Sequence, residues 1–134
     1  HDGSLSTLHA NGPRDALHRL ENLVLMAGHS LPDRAIREQI ASALDLLVHI
    51  SRISDGSRKV QSVQELLGME GPVVTMQEIF RFVSTGMDAD GRVLGHYEAT
   101  GIVPRCCELI RVTGLDLPSD ILERGRRFTP RGAA

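Results

Sequence analysis

The sequence predicts an α/β fold in which a strand, a turn and two helices lead into a run of β-hairpins. Three observations predict it. The opening run alternates apolar and polar residues and stops at Asn11-Gly12-Pro13. Apolar residues then recur at helical spacing through two segments, from Leu17 to Ala27 and from Ile36 to Leu44. From Leu46 onward, β-rich stretches are punctuated by Asp-Gly and Gly-Pro turns. The predicted order is β-α-α-β-β-β-β-α.

Each element has a local reason. Leu5, Thr7 and His9 share one face of a predicted strand, with Ser6 and Leu8 on the other. Asn11 suits a helix cap, and Pro13 suits a first turn, where its missing N–H costs nothing. The first helix runs from Arg14 to Ala27, with Leu17, Leu20, Val24 and Ala27 inward and Gly28 at the left-handed position that ends it. Pro32 opens a second helix. Its buried stripe is Ile36, Ile40, Ala43 and Leu44, its wet side is Arg34, Arg37 and Glu38, and Asp45 ends it.

Leu46 to Ile53 alternates, Ser54-Asp55-Gly56-Ser57 turns the chain, and Arg58 to Met69 returns as the partner strand. Glu70-Gly71-Pro72 turns again into Val73–Val83, where Thr75-x-x-Glu78 also matches a capping box for a short helical turn. Asp88-Ala89-Asp90-Gly91 makes a further turn before a strand from Arg92 to Ala99. Pro104 starts a helix closed by Gly114, and Pro118 a last short helical turn. The boundaries are 1–70 for the first part, 71–123 for a hairpin and helical part, and 124–134 for a disordered tail without periodicity.

Composition narrows the function classes. The 134 residues suffice for one cored domain, built from aliphatic side chains because the chain holds three Phe, one Tyr and no Trp. With 15 basic against 17 acidic residues, the formal charge is −2, so no global field draws nucleic acid or an anionic membrane. The shortage of aromatic stacking residues further disfavours a nucleic-acid-binding domain. Cys106 and Cys107 are adjacent, a spacing that strains a disulfide, and reduced thiols fit a cytoplasmic setting. No run approaches the length of a membrane span, and no signal peptide is expected.

Candidate chemistry is sparse. His1 and His9 lie eight apart, about 26 Å along a straight strand, too far to share one metal ion. His9 gains interest from its place at the C-terminal end of a predicted strand, before a turn and helix, where open α/β sheets bind ligands. Asp88-Ala89-Asp90-Gly91 lacks the remaining ligands of a calcium loop and reads as a β-turn. Cys106 and Cys107 read as packing residues, and Arg14 and Arg19 as surface helix arginines. No zinc spacing is present. No G-x-x-x-x-G-K-[S/T] occurs, and the lone Lys59 sits in a hairpin, so the chain by itself has no phosphate cradle.

Three blocks, "HDGSLSTLHANGPRDALHRLENLVLMAG", "LPDRAIREQIASALDLLVHISRISDGSRKV" and "ELLGMEGPVVTMQEIFRF", carry a family resemblance. Over residues 1 to 122 the chain resembles the C-terminal half of the CpaF family, ATPases of Tad/Flp pilus assembly within the type II/type IV secretion ATPase superfamily. The resemblance implies the C-terminal half of a RecA-like P-loop NTPase domain, of α+β appearance in isolation. It places a histidine box at 1–11, with His9 and His1 as the catalytic candidates and His9 near the γ-phosphate.

The resemblance also implies ATP and Mg²⁺ as cofactors of the full-length enzyme. It further implies a homohexamer, inner-membrane platform proteins as partners, and a peripheral cytoplasmic place at the bacterial inner membrane. Gly12, His18 and Cys106 depart from the family pattern, and the Walker A and Walker B motifs are not in this chain. The expected function is therefore the C-terminal part of a secretion or pilus-assembly ATPase. The alternative is a non-catalytic regulatory or assembly module of the same family.

Overall fold

The structure, a computed structural model, describes residues 3–28 and 30–129. Its elements in chain order are α1 (Pro13–Met26), α2 (Asp33–Ala43), β1 (Leu46–Arg52), β2 (Arg58–Glu70), β3 (Val73–Met87), β4 (Val93–Ala99), α3 (Cys106–Val112) and β5 (Arg127–Phe128). The five strands form one antiparallel sheet in the order β1-β2-β3-β4-β5. Each connection from β1 to β4 is a tight hairpin, at the three turns the sequence marks. Gly56, Gly71 and Gly91 take the positive φ that these turns require. The β2–β3 hairpin spans position 70, so residues on both sides of it belong to the same sheet.

Helices α1 and α2 cover one face of the sheet. Leu17 of α1, Ile36 and Ile40 of α2, and Leu66 and Val74 of the sheet form the buried core, with Leu20, Val24, Leu44, Leu47, Met69 and Met76 packed around it. The helix periodicity marks Leu17, Ile36 and Ile40 for burial, whereas Ala27 and Ala43, expected inward, are exposed at the helix ends and Arg37, expected on the wet side, is half-buried. Arg37 of α2 ties the helices to each other and to the sheet, donating from Nε to Glu21 at 3.0 Å and from Nη1 to the Pro72 carbonyl at 3.2 Å. No helix among the described residues is long and apolar enough to cross a membrane.

Four expectations need correction. The predicted strand at Leu5–His9 does not form: residues 3–10 carry no regular structure, and Leu5 is fully exposed. Alternation orients side chains, but a strand exists only when its backbone N–H and C=O groups find a partner strand, and these find none among the described residues. Thr75-x-x-Glu78 is strand throughout, because pairing of Val73–Arg81 with β2 satisfies the backbone that a helical turn would otherwise satisfy. The helical turn at Pro118 is a series of non-helical turns. Of the disordered tail expected over 124–134, residues 130–134 lie outside the described residues, while Arg127 and Phe128 of β5 pair with Glu98 and Tyr97 of β4. The Phe128 ring packs edge-on to Phe80 at 6.0 Å between centroids. One aromatic anchor offsets the ordering entropy of this short segment.

Candidate functional site at the start of helix α1

His9 is exposed and lies in the irregular segment just before α1. His1 lies outside the described residues. The turn between His9 and the helix is well defined. The backbone N–H of Asn11 donates to Asp15 Oδ2 at 2.7 Å, and Asn11 Nδ2 donates to the same oxygen at 3.2 Å. The Gly12 carbonyl accepts the first helical bond from Ala16 N at 2.9 Å. The helix cap that Asn11 suits does not form. Instead Asp15 reaches back to Asn11, and the cap position is occupied by Gly12 in extended conformation with no side-chain cap. The carboxylate also sits favourably in the first turn, against the positive end of the helix dipole.

Beside this turn opens a groove of about 610 Å³, lined by Asn11–Asp15 on one side and Gln64, Met76 and Glu78 of the sheet on the other. Gln64 and Glu78 are directly opposed across β2 and β3, next to the Leu66–Met76 pair that closes the core. Arg14 also lines a second groove with His18, Glu21 and Arg37. The groove offers donors at a helix start and the Arg14 guanidinium, and the exposed His9 imidazole is not among the residues that line it. The groove also offers two carboxylates, Asp15 and Glu78. This mixed set does not make an anion cradle by itself, and among the described residues no three His, Cys, Asp or Glu side chains converge as metal ligands.

The remaining sequence candidates are dispersed. Arg19 is exposed on α1. Asp88-Ala89-Asp90-Gly91 is a turn in which Asp88 Oδ1 accepts from the backbone of Asp90 and Arg92 at 3.0 and 2.7 Å. Cys107 is buried and Cys106 half-buried, and burial raises the Cys106 thiol above its ordinary pKa, with Cys107 and Glu65 adding to the effect. That is the opposite of an activated nucleophile.

Sequence reasoning passed over Glu65, the one buried carboxylate among the described residues. Glu65 is 4% exposed. Its Oε2 accepts from Gln77 Nε2 at 2.6 Å and its Oε1 from the Arg105 backbone N–H at 2.7 Å. Strand alternation turns Glu65 and Gln77 away from the face that carries Gln64 and Glu78. A Glu flanked by Gln64 and the pair Leu66-Leu67 in a strand interior is the signal, since such a side chain is buried only when partnered.

No family profile matches the chain. Two proteins of Mycobacterium tuberculosis named for conjugal transfer, MT3759 and Rv3659c, are each 34% identical to it over 73 residues, 54% of this chain and 20% of the relative. The conjugal transfer protein TrbB of Rhizobium radiobacter is 38% identical over 71 residues, 53% of this chain and 20% of its own length. The chain is therefore similar, over about half its residues, to proteins named for conjugal transfer, and it spans about a fifth of the length of those relatives.

Proposed function

We propose that this chain is the C-terminal part of a secretion ATPase, a P-loop NTPase of the type IV-like class that drives conjugal transfer or Tad/Flp pilus assembly. The observation that carries the reading is the similarity to conjugal transfer proteins of two distinct bacteria. The CpaF-like blocks around His9 and through the hairpins agree with it. In this reading the whole protein works as a homohexamer with ATP and Mg²⁺, peripheral to the inner membrane and engaged with platform proteins there.

The residues of this chain do not fit a complete nucleotide site. The phosphate-cradling loop is outside the sequence, Glu78 and Asp15 bring negative charge to the α1 groove, and no metal-ligand cluster exists among the described residues. What the chain contributes is His9, an exposed imidazole on the segment leading into a firmly tied helix start. Imidazole can donate a hydrogen bond to an oxyanion or hold a proton near neutral pH. Catalysis of phosphoryl transfer is chiefly positioning and electrostatics, so a donor two residues before a tied helix start becomes a useful part once the rest of the site orders it. His1 would serve as its companion in the same box.

The test is His9→Ala in the full-length protein. Loss of ATPase activity and of pilus assembly or secretion is the expected result, and retention of both refutes the γ-phosphate role. The isolated 134-residue chain should show no ATP turnover above its own His9→Ala variant. Measurable turnover there would refute the assignment of the phosphate-binding parts to other segments.

A further inference from the structure

We infer that residues 101–124, which carry α3, form a strap latched to the sheet by the Glu65 carboxylate and able to open while the rest of the fold stays intact. The base of this excursion is closed. Ala99 N donates to the Arg126 carbonyl at 3.0 Å, Gly125 N donates to the Ala99 carbonyl at 2.9 Å, and Ala99 is entirely buried. Thr100 Oγ1 donates to the Glu78 carbonyl at 2.6 Å and anchors the outgoing chain. The two ends are therefore held independently of whatever the middle does.

The middle has few ties. Only Pro104 and Cys107 are buried between Gly101 and Asp120, and every residue from Arg111 to Ser119 is exposed. Leu109, Val112 and Leu115 present their side chains to water. Helix α3 is too short to hold itself together without tertiary support. What fixes its start is the pair of contacts from Arg105: its backbone N–H to Glu65 Oε1 at 2.7 Å and its Nη1 to the Leu67 carbonyl at 3.1 Å. Glu65 is itself immobilised by Gln77, and a hydrogen bond to a charged acceptor is the stronger kind. Segments with few buried apolar contacts open locally at lower free energy than the core.

Native-state hydrogen exchange on the full 134-residue chain, followed against denaturant, tests the strap. Amides of Cys107–Val112 should exchange through an opening with a much smaller denaturant slope than the core amides of Leu66 and Val74. Equal slopes and equal free energies for both sets would overturn the inference. In Glu65→Ala, which removes the acceptor altogether, exchange at Arg105 and along α3 should accelerate about tenfold or more relative to the core amides, the effect of losing a hydrogen bond to a charged acceptor. An unchanged ratio would remove Glu65 as the latch.

Discussion

Ile36→Ala is the most direct test of how the helices are held over the groove. Ile36 is 1% exposed and lies in one cluster with Leu17 of α1 and with Leu66 and Val74 of the sheet. The substitution removes three carbons, about 2.4 kcal/mol at roughly 0.8 kcal/mol per buried CH₂. It also leaves a cavity between two helices and a hydrogen-bonded sheet, which restrains collapse from every side. The expected loss is therefore about 3–4 kcal/mol, in the upper part of the range for such truncations. Against a typical domain stability of about 5–15 kcal/mol, that is a large fraction.

Urea unfolding followed by circular dichroism should show a lower midpoint at unchanged slope. Ile50→Ala is the matched control. Ile50 is also an apolar residue, yet on β1 it is 57% exposed, so its truncation should cost less than about 0.5 kcal/mol. A loss below about 1 kcal/mol for Ile36→Ala, or equal losses for the two variants, would refute the packing described for α2.

Three further outcomes are expected. Asp55 ties the β1–β2 turn to the start of β4, accepting from Ser57 N and Val93 N at 2.8 Å each; the Ser57 hydroxyl foremost, with the Val93 and Ser57 amides, lowers its carboxyl to about 2. A lowered folded-state pKa stabilises above the ordinary value near 3.8 and loses that contribution as pH falls through about 2. Protection of the Val93 amide should drop over that window, and Asp55→Ala should abolish both the protection and its pH dependence. Gly95→Ala places a Cβ 2.5 Å from both Phe82 Cζ and the Val83 carbonyl oxygen, so thermal unfolding should reveal a loss of about 1–3 kcal/mol. His9→Ala, at an exposed position in irregular chain, should change urea stability by less than about 0.5 kcal/mol. A larger loss would show that His9 serves the fold and not a ligand.

Legibility followed the range of the interactions. The hairpins could be read because each depends on a few adjacent residues: Asp55-Gly56, Gly71-Pro72 and Gly91 all lie where the chain reverses. Helices α1 and α2 could be read because their apolar period is local and long, and Ile36 and Ile40 are buried as the stripe requires. The candidate site was legible only in part. The helix start follows from local signals, the strand end that singled out His9 does not form, and Gln64 and Glu78 reach the α1 groove through pairing between strands.

Glu65 marks the same limit more sharply. Nothing near it in sequence supplies a partner; Gln77 is 12 residues away and Arg105 is 40. The amino-acid sequence by itself determined where the chain turns and which faces of its helices are apolar, because steric and periodic constraints act over a few residues. Only the tertiary structure decided which alternating segments are strands. Arg127–Phe128 is short and unpatterned yet pairs with β4, while Leu5–His9 alternates well and pairs with no strand among the described residues. A strand is stabilised by hydrogen bonds to another segment, so its existence is a property of the pair.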